Sequence, residues 1–174
     1  SNELPWRETI ADVVVIPPDD TGHIDLAQLQ TQLALYADRP LRIGSFSAAS
    51  NVTGILTDTA AVATVLHRGG ALAFFDFAAA APYVEIDMNG PPGAEGTPVD
   101  PLTAKDAVFL SPHKYIGGPG TPGVLLVRRD LVSNRVPVVP GGGTVAFVTP
   151  QTHTYLDDVE TREEGGTPAI VESI

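Results

Sequence analysis

The chain has no cysteine, one methionine and one tryptophan in 174 residues. Without cysteine there is no disulfide framework, no thiolate nucleophile and no zinc knuckle, so a nucleophile has to be Ser, Thr, Lys or a carboxylate. Cations are scarce as well: 10 Lys and Arg stand against 21 Asp and Glu, a formal net charge of -11. A surface of that sign repels a polyanion, and the few arginines form no run, which argues against nucleic acid and leaves room only for a small anion held in a local pocket. Long apolar runs are missing too. Ala71 to Phe75 and Val124 to Val127 are far shorter than a bilayer requires, and no basic stretch followed by an apolar one opens the chain. The expectation is a soluble, cytoplasmic protein with no membrane partner. Its length and 43% hydrophobic content suit one compact domain with a sizeable core.

What is present is an alternation of short apolar runs and helical patterns. Val13 to Ile16 is β-branched and closes at Pro17-Pro18. Asp25 is a good N-cap for Leu26 to Tyr36, where Leu26, Leu29, Leu33 and Tyr36 share a helical face. Leu41 to Phe46 reads as a buried strand. Asp58 caps a second helix with Val62, Val65 and Leu66 on one face and Gly69-Gly70 at its end. Ala71 to Phe75, Ala107 to Leu110 and Gly123 to Val127 read as further strands, and Asn89 to Pro101 as a surface loop. This order predicts a parallel α/β sheet, whose ligands sit at the carboxyl ends of the strands.

Polar clusters fall at those ends: Ser50-Asn51-Val52-Thr53, then Asp76, then Ser111-Pro112-His113-Lys114. Lys114 is one of two lysines and stands between an apolar strand and a glycine-rich loop. Partial desolvation there would lower its pKa and free the amine to attack an aldehyde; the plainer alternative is a surface lysine in a loop. Asp76 follows five apolar residues and needs a partner that repays its desolvation, such as a protonated pyridine nitrogen. Its plainer alternative is a cap for Ala78 to Ala81.

Ser50-Asn51-Val52-Thr53-Gly54, Asp76 with Ala78-Ala79, Ser111-x-His113-Lys114 with Gly117-Gly118-Pro119-Gly120, Gly141-Gly142-Gly143 and Glu164-Gly165-Gly166-Thr167-Pro168 occur in one order. In that order and approximate spacing they resemble the class V aminotransferase and cysteine desulfurase family of fold-type-I pyridoxal 5'-phosphate (PLP) enzymes. The resemblance covers roughly Leu41 to the C-terminus. It implies an α/β three-layer sandwich, with a mostly parallel mixed sheet flanked by helices, and PLP as cofactor. It also implies a PLP-dependent transferase or lyase acting on a small amino acid. Lys114 would be the Schiff-base lysine and the base at the substrate α-carbon, and Asp76 the partner of the pyridinium nitrogen. Ser111 and His113 would hydrogen-bond the phosphate, and Asn51 would reach the ring hydroxyl or the substrate carboxylate. Thr167 would cap the phosphate of the neighbouring subunit in a homodimer.

Two positions depart from the family pattern. Ala79 stands where glutamine commonly touches the phenolic oxygen, and Pro112 where glycine is common. The Ala79 departure is the best support for the rival reading, a non-catalytic PLP-fold module serving dimerisation or ligand binding. The ends, Ser1-Asn2-Glu3 without methionine and Pro168 to Ile174 read as the first turns of a helix, suggest a piece of a longer protein. On that expectation residues 1–174 are part of the PLP-binding large domain, an N-terminal segment and a C-terminal small domain lie outside them, and the piece alone is inactive.

Other signals carry less. Gly117 to Gly123 is followed by no Gly-Lys-Ser/Thr, which argues against a nucleotide P-loop. His23, His67, His113 and His153 are scattered without helical pairing, so no metal site is expected. Gly44-Ser45-Phe46-Ser47-Ala48 is not a serine-hydrolase elbow. Asp157 to Glu164 reads as a solvated helix face leading into the phosphate-capping turn.

Overall fold

The computed structural model describes residues 3–93 and 97–174. After a single turn, α1 (Leu4–Arg7), the two longest helices start where their caps predict. The Asp25 carboxylate accepts from Gln28 N at 2.9 Å to open α2 (Leu26–Leu35), and that of Asp58 from Ala61 N at 2.9 Å to open α3 (Thr59–Arg68). Each such cap is worth about 1 kcal/mol. Tyr36 is the C-cap of α2 rather than part of it.

Four strands form one sheet in the order β1 (Ile43–Ser47), β2 (Leu72–Asp76), β3 (Ala107–Leu110) and β4 (Val124–Val127). The first three run parallel and β4 is antiparallel to β3. α3 is the crossover between β1 and β2, as a parallel pair requires. The crossover from β2 to β3 returns through a 3-10 turn at Pro101–Thr103, which joins α3 by a hydrogen bond between His67 and the Leu102 carbonyl.

α2 and α3 cover one face of the sheet, where Leu66, Ala73, Phe75 and Val108 are fully buried. A Cβ on Gly44 would run into the isobutyl group of Leu66, so the missing side chain is what lets α3 sit this close. On the other face Trp6 of α1 lies 6.3 Å from Phe74, which meets Phe109 edge-on at 6.3 Å. The architecture is the expected one: a mixed, mostly parallel sheet flanked by helices. Beyond it come an antiparallel pair, β5 (Val145–Val148) and β6 (His153–Tyr155), and the short helix α4 (Val159–Glu163) capped by Asp158.

Some expectations differ from the structure. Val13 to Ile16 is not a strand: the nearest bridge is the isolated Pro18–Ile24 pair, and β-branched residues without a neighbouring strand have nothing to pair with. Pro168 to Ile174 yields only an exposed 3-10 turn at Val171–Ser173. The predicted Asn89 to Pro101 loop is exposed at Pro91 to Gly93 and Thr97 to Pro101; residues 94–96 within it, like Ser1 and Asn2, lie outside the described residues. Among the described residues no helix is long and apolar enough to cross a membrane.

Candidate active site

Strand register brings the predicted clusters together. Ser47 pairs with Asp76 and Asp76 with Phe109, so the three parallel strands end side by side. Ala48 N donates to Asp76 O at 2.8 Å and Phe77 N to Phe109 O at 2.9 Å, which extends the ladder one residue past β1 and β2. Asn51, Asp76 and Ser111 to Lys114 therefore share one sheet edge, the carboxyl edge of β1 to β3. Asn51 is exposed at the tip of a turn whose start, Ser50, accepts from Val52 N at 3.2 Å and Thr53 N at 3.1 Å.

Asp76 is half-buried. One carboxylate oxygen accepts from Ala78 N at 2.8 Å, and the other takes no protein donor among the described residues. The capping alternative and the ligand reading thus use different oxygens. Ser111 opens a 3-10 turn over Pro112–Lys114 without using its hydroxyl as a cap, Lys114 N donates to Ser111 O at 2.9 Å, and His113 is exposed. The partial burial expected for Lys114 is absent: its side chain is exposed, and no carboxylate pairs with it among the described residues. The apolar strand before it shields only residues within the sheet, and Lys114 lies past the strand's end.

Gly118 holds this turn. It is buried, its N–H donates to Tyr115 O at 3.0 Å, and a Cβ there would land on the carbonyl of Pro112. Gly118→Ala therefore has to push the 112–118 backbone apart, at a cost of about 1–3 kcal/mol. The expected result is a lower melting temperature, checked by thermal melts.

Two hollows lie elsewhere. One of about 360 Å³ is lined by Asp19, His23, Asp25, Thr57 and Asp58, among others, and one of about 350 Å³ by Gly141, Gly142, Val145, Val148, His153 and Tyr155. Lys114 and Asp76 line neither of these two. Thr167 is exposed and follows α4 in the chain.

The sequence reading missed the buried charges at the opposite edge. Asp106, 1% exposed, precedes β3; its carboxylate accepts from Ala73 N at 2.7 Å, His67 Nε2 at 2.9 Å and Arg128 Nη1 at 2.7 Å. Burial alone would push its carboxyl up, but these hydrogen bonds together hold it below the usual carboxylate range. Lys105 is buried beside it and donates from Nζ to Asp87 O at 2.8 Å; burial draws its ammonium below the usual value, against the pull of the Asp87 charge. The available signal was a Lys-Asp pair directly before an apolar strand. Arg162, expected on a solvated face, is also buried.

The family model for aminotransferase class-V matches residues 1–174. The chain belongs to that family. Among the family's curated members it is 30% identical over 172 residues to a probable cysteine desulfurase of Mycobacterium leprae, covering 97% of this chain and 36% of that protein. It is 31% identical over 178 residues to a cysteine desulfurase of Synechococcus elongatus, covering 100% of this chain and 26% of that protein. Among solved family structures, the cysteine desulfurase CsdA of Escherichia coli superposes with a TM-score of 0.77 at 27% identity, over 98% of this chain and 39% of that one. The chain thus spans well under half the length of these family members.

The family depends on PLP, and the residues at the carboxyl edge fit that cofactor chemically. Among the described residues they offer an exposed amine without a counter-ion, a carboxylate with one oxygen free, and a hydroxyl and an imidazole beside the amine.

Proposed function

We propose that this chain carries the PLP site of an enzyme that acts on a small amino acid, with Lys114 as the amine that bonds the cofactor aldehyde. The observation that carries the reading is the alignment of β1, β2 and β3, which sets Asn51, Asp76 and Ser111 to Lys114 along one edge. Asp76 would hold the ring nitrogen through its free oxygen, Ser111 and His113 the phosphate, and Asn51 the ring hydroxyl or the substrate carboxylate. When bound, the pyridinium ring supplies an electron sink for bonds breaking at the substrate α-carbon. Lys114 then moves the proton at that carbon. Because Lys114 is exposed in this chain, its shielding from water comes from what docks over the edge: the ring itself and a second subunit, whose Thr167 caps the phosphate. The curated relatives favour cysteine desulfuration as the reaction; the chain has no cysteine, so a sulfur-accepting thiol has to come from elsewhere.

The test is borohydride reduction of the full-length protein mixed with PLP. The expected result is a visible absorbance band that bleaches on reduction, with the label at Lys114; label at Lys105, or no band, overturns the reading. Asp76→Asn should keep the label and lower turnover by roughly 10²-fold, since it removes charge stabilisation from the reacting state and leaves the bonding amine in place. A retained cofactor without α-proton exchange on any amino acid would favour the non-catalytic module, a reading supported by Ala79.

A further inference from the structure

The side chain of Arg162 is out of place for a purely acidic helix face. The residue is 7% exposed, yet no carboxylate pairs with it among the described residues. Its hydrogen bonds go only to backbone carbonyls, with the Asp158 carboxylate near enough to feel its charge: Nη1 donates to Leu156 O at 2.7 Å and Asp157 O at 3.1 Å, Nη2 to Asn134 O at 2.9 Å, and buried Nε has no partner among the described residues. Burying a cation on these terms is costly, and a planar fork that fixes separate chain segments at once is what only arginine supplies.

The segments it fixes converge on one turn. Arg162 ties α4, a helix too short to hold itself, to the end of β6 and to the chain at Asn134. Glu163 braces the same helix by accepting from Asn134 Nδ2 and from Val138 N at 3.1 Å. Directly after α4, Gly166 N donates to Gly142 O at 3.0 Å, and a Cβ on Gly165 would stand 2.5 Å from the Thr144 methyl. Thr144 is itself fully buried, its hydroxyl donating to Gly141 O at 2.6 Å. The turn at Gly165-Gly166 is thus locked from two sides, and the next residue is Thr167, exposed and with no side-chain hydrogen bond among the described residues.

We infer that Arg162 is a positioning residue for the cofactor: it sets the turn from which the Thr167 hydroxyl reaches the phosphate in the neighbouring subunit. This rests on the reading of Thr167 given under the proposed function. The test is a double-mutant cycle in the full-length protein, reading the PLP dissociation constant by titration and the melting temperature of the apo protein. Thr167→Val and Arg162→Gln should each weaken PLP binding roughly tenfold, the value of one charge-assisted hydrogen bond. If Arg162 acts through Thr167, adding Arg162→Gln to Thr167→Val should change binding by less than about twofold.

A merely structural role would lower the melting temperature and leave PLP affinity alone, or multiply with Thr167→Val; either result overturns the inference. Should Arg162→Gln fail to fold, Arg162→Lys, which keeps the charge and loses the fork, is read in the same cycle with the same criteria. Loss of binding with Arg162→Gln but none with Thr167→Val also overturns the assignment while leaving Lys114 as the bonding amine. Absence of PLP binding in the unsubstituted protein sinks the cofactor reading itself.

Discussion

Lys114→Ala in the full-length protein is expected to abolish the borohydride-sensitive absorbance and to lower turnover by roughly 10³-fold or more, since it removes both the bonding amine and the base at the α-carbon. Substitution should not be rescued from within the chain. The second lysine, Lys105, lies before β3 where Lys114 lies after it, and it is buried with its ammonium donating to the Asp87 carbonyl. Lys114→Arg separates the two roles of the side chain. The guanidinium keeps a positive charge near the phosphate but does not give up its proton, so cofactor affinity should fall less than with alanine while bonding and turnover are lost alike. Absorbance spectra, reductive labelling and steady-state rates distinguish these outcomes, and residual labelling in Lys114→Ala would mean that another amine serves.

Asp106→Ala is expected to cost about 3–5 kcal/mol, the range for removing one partner of a buried charged network. The loss leaves Ala73 N, His67 Nε2 and Arg128 Nη1 without their acceptor at a site that is 1% exposed. Arg128 contributes the smaller share, because its side chain is half exposed and screened by water. His67 contributes more: Nδ1 faces the Leu102 carbonyl at 2.8 Å while Nε2 faces Asp106, so the pair joins α3, the β2–β3 crossover and the start of β3. Denaturant titration gives the magnitude.

The acid limb gives the sign. Because the Asp106 carboxyl is held below the usual range in the folded chain, its stabilisation is full above the ordinary carboxylate value and is lost as pH falls through the lowered one. Asp106→Asn should therefore be less stable than the unsubstituted protein at neutral pH and should show a shallower decline in acid. Equal acid slopes in the two proteins would rule out a coupled carboxylate at this position.

Local signals in the sequence proved sufficient where the physics is local. Asp25 and Asp58 mark helix starts because an N-cap bonds within its own first turn, and the apolar runs before Asp76 and Ser111 mark strands because burial on both faces leaves no polar alternation. The positions of three candidate clusters at the carboxyl end of the sheet were legible for the same reason: Asp76 ends β2, Ser111 follows β3 directly and Asn51 lies in the turn after β1. The Asp106–His67 pair was not, since its members stand 39 residues apart and meet only when the crossover folds back on α3. Arg162 was misread because its acidic neighbours dominate the composition of α4, and nothing local reveals three carbonyls converging on its fork. Lys114 was expected to be shielded by the apolar strand before it, but a strand protects what lies between its neighbours, and Lys114 stands exposed past its end.

One strand, four residues long, separates two kinds of duty: the stabilising acid anchors its amino end and the amine proposed to bond the cofactor follows its carboxyl end. Exposed positions beyond that far end, such as Ile116, can accordingly be exchanged with little penalty in folding, buried Gly118 excepted, while the same liberty taken at Asp106 would dismantle the scaffold before any new chemistry could be assayed.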